Sequence, residues 1–306
     1  MGKFEAAWHK LWFGTQQPVV REVKSNHDTH MLKILACALM LCDHMGKMIF
    51  PDIYVLRFSG AVGSYLPALN ILRAIGRLAM PMFAYCIAVG CNYTRNIWKY
   101  ALRLMLLGVV VHPLYQEAMG HVVFRQFDWR LTQFEQIYRL PLEIYRYYFQ
   151  NKNLNILFTL SLGTLIIACV RHKRYLLLPF VILLTVHWHS RIDYGYEGVF
   201  LILLFYAFLD HPLASFVAAL LFFINWSAPQ LFKQLPFILT RYADGAYALR
   251  FNQAAFKSIN SEIYAVFSLV FIYLPIPKRY IKLPKRFFYA FYPAHLLLIY
   301  FLLLNQ

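Results

Sequence analysis

Apolar residues run along this chain in long, nearly continuous stretches, broken by short segments where the basic residues gather. Several stretches approach the roughly 20 apolar residues that cross a hydrocarbon core about 30 Å thick. The pattern predicts spans at Met31 to Pro51, Ile71 to Cys91, Tyr100 to Met119, Leu154 to Val170 and Tyr175 to Trp188. Further spans are predicted at Tyr196 to Leu209, Leu213 to Trp226, Ile263 to Leu274 and Phe287 to Leu304. In lipid the backbone must satisfy its own hydrogen bonds, which leaves helices or a closed barrel. The last two runs are too continuously apolar for the alternating strands of a barrel. The expected fold class is therefore all-α: a polytopic integral membrane helical bundle with about nine transmembrane helices. It forms one domain over residues 1–306, whose first thirty residues make an interfacial arm carrying Trp8, Leu11, Trp12 and Phe13.

Between the spans, a Gly- and Ser-containing connection holds Gly60, Gly63 and Ser64. The stretch His121 to Asn153, rich in Arg and Tyr, is too charged to cross and is expected along a membrane face. Pro18 and Lys24 interrupt any apolar core near the start, so the first span is expected to be a retained anchor. No internal repeat or low-complexity linker divides the chain.

Composition agrees with this reading: 60% of the 306 residues are hydrophobic, only 14% are charged, and the mean hydropathy is +0.49. Thirty Lys and Arg against fourteen Asp and Glu give a formal charge of +16. In a soluble protein that balance would point to nucleic acid, but here the cations sit in short loops, as the positive-inside bias requires. The basic segments Arg95 to Arg103, Arg171 to Arg174 and Lys278 to Arg286 fall on one side under nine spans, which places that side and the N-terminus in the cytoplasm. The expected location is the bacterial inner (cytoplasmic) membrane, multi-pass, with the lipid bilayer as partner and no nucleic acid. The five cysteines lie in or beside apolar runs without paired metal spacing, so they are expected as small buried hydrophobes.

Ionisable groups inside lipid-spanning helices are costly, which makes each a functional candidate. Asp43 and His44 stand near the middle of the first span. An imidazole titrates near neutral pH and can take a proton from an attacking amine or hydroxyl, while a carboxylate can fix its tautomer. Neighbours on a helix point about 100° apart, so Asp43 is equally suited to pair with an arginine. In the second span Arg73 and Arg77 share a face, where they would hold a carboxylate or phosphate, or where Arg77 would pair with Asp43. Arg95, Lys99 and Arg103 at its end serve either topology or a nucleotide-bearing cofactor. Asp193, Tyr194 and Glu197 form a turn leading into a span, and Tyr292 and His295 interrupt the last apolar helix. His187 and His189 alternate rather than share a face, and no metal site is expected. Serine-hydrolase elbows, zinc-protease motifs and phosphate-cradling glycine loops are missing.

These residues resemble the TraX family, membrane proteins associated with acetylating the pilin N-terminus in F-type conjugation systems and distantly akin to polytopic acyltransferase-3 proteins. The stretches that carry the resemblance are Leu32-Lys33 through Met40 to Asp43-His44 and Gly46; Ile75 to Ala79 with Pro81-Met82-Phe83; and Asn92 to Arg95 with Lys99-Tyr100 and Arg103-Leu104. They continue with Leu154 to Phe158, Asp193-Tyr194-Gly195, and Phe288-Tyr289 through Tyr292-Pro293 and His295-Leu296. The chain departs from the family pattern in its longer N-terminal arm, in Met80 and Met82, and in the extended segments Ala118 to Asn153 and Ser227 to Asn260.

The resemblance implies transfer of an acetyl group from acetyl-CoA, as co-substrate without a metal, to a pilin subunit presented at the membrane. It implies His44 as general base, Asp43 orienting it or anchoring Arg77, and His295 assisting at the thioester carbonyl. Arg73, Arg77, Arg95 and Arg103 become candidates for the coenzyme phosphates, and Asp193, Tyr194 and Tyr292 for the acceptor. Rival readings are an O-acyltransferase acting on a glycan or lipid, a transporter using the buried polar residues as an ion path, and a non-catalytic scaffold for pilus assembly.

Overall fold

The computed structural model describes residues 20–24, 29–52, 55–56, 69–119, 154–228, 261–274 and 283–305. Most of the N-terminal arm, the Gly60 to Ser64 connection, the segment 121–153, the loop 229–260 and the basic residue Lys278 lie outside the described residues. Among the described residues, each of the nine predicted spans coincides with helical structure, and the sole sheet is a two-residue antiparallel ladder, β1 (Val55–Leu56) on β2 (Leu69–Asn70). Three helices are long and apolar enough to cross a bilayer: Ile71–Tyr93, Ile97–Ala118 and Arg286–Leu304. Two compact units divide the chain, each gathered from separate stretches.

The first unit takes its described residues from Met1–Val23, Ala84–Asp210 and Tyr289–Tyr300. Helix α4 (Ile97–Ala118) begins at Asn96, whose side chain accepts the Lys99 N–H at 2.9 Å. Helix α5 (Ile156–Arg171) begins at Asn155 in the same way, satisfying one of the orphan donors of a helix start. The same Asn155 amide donates to the Gly108 carbonyl at 2.9 Å, and the Ser161 hydroxyl donates to the Ala101 carbonyl at 3.0 Å, so α4 and α5 run antiparallel. Helix α6 (Leu178–His187) returns along α5, and α7 (Gly195–Ala207) then runs parallel to α5. Leu154, Phe158, Leu162, Ile166, Ile192 and Val199 form the core between them. Leu102, Leu106, Val110, Phe180 and Leu183 are exposed on the outer faces, a surface suited to lipid rather than water.

One end of this unit collects cations. Arg171, at the close of α5, donates to the Cys91 carbonyl, and His172 meets Trp98 at a ring separation of 6.2 Å. The basic segments around Arg95 and Arg171 therefore share an end, as the loop argument requires. Burial, together with Arg171 and Arg174 beside it, holds the His172 imidazole below its ordinary range. Arg21 docks here too. Its backbone N–H donates to Asn92 Oδ1 at 3.1 Å, Asn92 Nδ2 donates back to its carbonyl at 2.7 Å, and its guanidinium lies over Tyr206 at 4.4 Å while reaching the Tyr206 and Ala207 carbonyls. A cation at the negative end of α7 is the placement the helix dipole favours. Asn92→Ala is expected to raise tryptic cleavage at Arg21 or Lys24 in native membranes roughly tenfold, since two bonds at about 1 kcal/mol each are lost. An unchanged rate would mean that the clasp does not hold the segment.

The second unit takes its described residues from Lys24–Phe83, His211–Phe288 and Phe301–Gln306. Helix α1 (Thr29–Met48) buries Leu32, Ala36, Cys37 and Met40, a stripe at helical spacing. Asn70 then joins α1 to the short α2 (Ile71–Gly76). Its Oδ1 accepts the Arg73 N–H at 3.2 Å, while its amide donates to the carbonyls of Gly46, Phe50 and Pro51 at 3.2, 3.0 and 3.2 Å. The chain turns at Arg77 and Leu78 before α3 (Ala79–Tyr93), because Pro81 has no N–H to offer the Arg77 carbonyl four residues back. Helix α8 (Pro212–Ser227) packs on the 3-10 helix Ser261–Phe267 and on α9 (Ser268–Tyr273), where the Tyr273 hydroxyl donates to Ser215 Oγ at 2.5 Å. The last helix, α10 (Lys285–Leu304), contributes to both units.

Candidate functional site

The structure holds the predicted site residues as two groups, one in each unit. In the second unit, α1 and α2 approach so closely at Gly76 that a Cβ there would lie 2.6 Å from Asp43 Cα and 2.8 Å from its backbone nitrogen. That approach delivers Asp43 to Arg77, with Oδ1 to Nε at 3.9 Å. On its other side the Arg77 guanidinium meets Glu262 of the 3-10 helix, Nη1 to Oε1 at 2.9 Å. One arginine thus stands between two carboxylates, all three largely shielded from solvent. Its charge is already engaged by protein, which realises the Asp43 pairing and adds a partner not foreseen. His44 is half-buried on the same helix as Asp43, and Arg73 is half-buried one turn before Arg77.

In the first unit, Asp193 and Tyr194 form the turn between α6 and α7. The turn is pinned to the start of α5, because the Asp193 N–H donates to the Leu154 carbonyl at 3.0 Å and the Thr159 hydroxyl donates to the Asp193 carbonyl. Tyr194 and Gly195 both take left-handed backbone, with φ of 62° and 54°. The Asp193 carboxylate is close enough to act electrostatically on the Tyr292 hydroxyl. Tyr292 in turn lies against His295, ring to ring at 5.3 Å, and His295 Nδ1 bonds to the Phe291 carbonyl at 3.0 Å. Both are buried. Asp193, Tyr292 and His295 therefore converge, while Arg95 is exposed at the cationic end and Arg103 lies over Tyr100 at 6.0 Å.

Several polar residues escaped the sequence reading. Glu262 lies far along the chain from Arg77, and no local spacing links them. His112 and Gln116, fully buried on α4 with 3.3 Å between their Nε2 atoms, did carry a usable signal in their four-residue spacing. Cys37, Cys86, Cys91 and Cys169 are buried free thiols, and Cys42 is half-buried.

An all-helical chain with bilayer-length apolar helices and ionisable residues buried among them defines a membrane-associated helical protein. The family model described as TraX protein matches residues 28–303, and the chain belongs to that family. Among curated proteins, it is 30% identical over 134 residues to a probable fimbrial assembly protein FimC, serogroup H1, of Dichelobacter nodosus, covering 44% of this chain and 43% of that protein. It is 29% identical over 133 residues to the uncharacterized protein RP591 of Rickettsia prowazekii (strain Madrid E), covering 44% and 42% respectively. The alignments thus span less than half the length of these relatives. No solved structure matches the chain.

Proposed function

We propose that this chain is a multi-pass acetyltransferase of the bacterial inner membrane, moving an acetyl group from acetyl-CoA to the N-terminal amine of a conjugative pilin subunit. The observation that carries the reading is the family match, which runs through both groups of buried polar residues from Asp43 to His295. The name of the fimbrial relative supports a setting in pilus biogenesis.

In this mechanism the amine nitrogen attacks the thioester carbonyl, a C–N bond forms, the C–S bond breaks, and coenzyme A leaves as a thiol. His44 takes the proton from the attacking nitrogen, and His295 assists at the carbonyl. Arg77, fixed by Asp43 and Glu262, gives the helix pair its rigid geometry and keeps a positive charge near the reaction. Arg73, Arg95 and Arg103 receive the coenzyme phosphates, and Asp193, Tyr194 and Tyr292 receive the acceptor. Coenzyme arrives from the cytoplasm and a processed pilin from the outer half of the bilayer, so the acetyl group changes hands between them.

Intact mass of pilin co-expressed with wild type or His44→Ala, at matched membrane levels, tests this. Wild type should acetylate the pilin N-terminus, and the variant should be slower by about 10² to 10⁴, the usual cost of a lost base. Equal acetylation would remove His44 from the mechanism. The word assembly in the fimbrial relative's name favours a second reading, a non-catalytic assembly factor, and pilin left unmodified by wild type would support it.

A further inference from the structure

We infer that His189 and Glu197 form the receiving site for the acceptor's amino group, taking it as an ammonium and releasing it as a free amine. The inference rests on the transfer reading above and names the residues that prepare its acceptor.

The two residues belong to different ends of one turn, His189 just after α6 and Glu197 in the first turn of α7. What brings them together is Gly195: a Cβ there would lie 2.6 Å from Glu197 Oε2 and 2.7 Å from His189 Nδ1, and its φ of 54° is one that side chains resist. His189 Nδ1 and Glu197 Oε2 end 3.6 Å apart, near enough for charge to couple and too far for a hydrogen bond. Instead Nδ1 accepts the Tyr196 N–H at 3.2 Å, which requires that nitrogen to be unprotonated, and the imidazole stacks on the Tyr196 ring at 4.2 Å. A bare carboxylate, a basic ring nitrogen and an aromatic face therefore border one small region. The side chains are 43% and 21% exposed, so a ligand can reach them.

A primary ammonium fits this set. Its three N–H donors suit a carboxylate, and its charge suits an aromatic face. Proton transfer from the ammonium nitrogen to His189 Nδ1 leaves the electron pair on nitrogen. The imidazolium so formed gives up the Tyr196 N–H, pairs with Glu197, and later returns its proton to water. An ordinary acidic residue in the first turn of a helix would explain Glu197 alone. It would not explain a basic imidazole nitrogen aimed at the same place.

Position adds a second line of argument. Asp193, in the same turn, acts on Tyr292, which lies against His295. The thirteen residues of α7 put the pair about 20 Å from the cationic end where Arg21 and Arg171 sit. An amine is thus received at the end opposite the one suited to phosphates.

The test uses the full chain in lipid nanodiscs, binding a short synthetic peptide with a free N-terminal amine or its N-acetylated twin. Wild type should prefer the free amine by about tenfold or more, the scale of one charge-assisted bond, and Glu197→Gln should abolish that preference while Glu197→Asp retains it. In turnover, Glu197→Gln should raise KM for the peptide and His189→Gln should lower kcat, with melting temperatures of both close to wild type. Wild-type preference and kinetics in both glutamine variants would overturn the inference and leave the transfer reading intact. A wild type that transfers no acetyl group would end the transfer reading, and the binding comparison would still decide whether the pair recognises an amine.

Discussion

Arg77→Met is expected to cost about 3 to 5 kcal/mol, the usual penalty for removing one partner of a shielded ion pair and leaving the other charged. Here it leaves two carboxylates, Asp43 and Glu262, facing each other across the space of the lost guanidinium. The measurement is thermal unfolding in detergent together with the amount of protein retained in membranes. Adding Glu262→Gln to Arg77→Met should recover part of the loss, because one of the stranded charges disappears. Arg77→Lys should fall between, since an ammonium reaches one carboxylate well but lacks the fork that spans two. A melting temperature unchanged by Arg77→Met would show that the trio contributes nothing to holding α1, α2 and the 3-10 helix together.

Gly76→Ala carries the second large effect. The added methyl would meet Asp43 Cα at 2.6 Å and Asp43 N at 2.8 Å, and these are backbone atoms that cannot rotate away. Helices α1 and α2 must separate, and overpacking of this kind costs about 1 to 3 kcal/mol even in forgiving sites. The separation also pulls Asp43 from Arg77, so acetyl transfer should fall along with stability. Gly90→Ala is the control, since its Cβ would meet only the end of the Tyr100 side chain at 3.3 Å. Comparable melting of the two variants would contradict the close approach at Gly76.

The placement of the helices was legible because it depends on local quantities. Runs such as Leu154 to Val170 have no stable alternative to a helix in lipid, and the Asn residues before α2, α4 and α5 cap starts that a reader can see. Even the turn at Arg77 follows from Pro81. Partner choice is different in kind. Arg77 was read as holding an anion or Asp43, and it holds Asp43 and Glu262 at once, because α9's 3-10 segment packs on α2. Asn92 was read within a stretch at the cytoplasmic boundary, yet it clasps Arg21 from 71 residues away. His189 was set aside as a metal ligand, and its pairing with Glu197 depends on a left-handed Gly195 that hydropathy does not encode. Side-chain partners across long separations are set by tertiary packing, which no periodicity reports.

The central claim is acetyl transfer to a pilin amine, and it is tested most directly with purified full chain in proteoliposomes, pilin and acetyl-CoA carrying a deuterated acetyl group. The account predicts that the pilin N-terminal fragment gains one deuterated acetyl group only when the chain is present. Pilin that gains no label, in vesicles where the protein is folded and the coenzyme is intact, would contradict it.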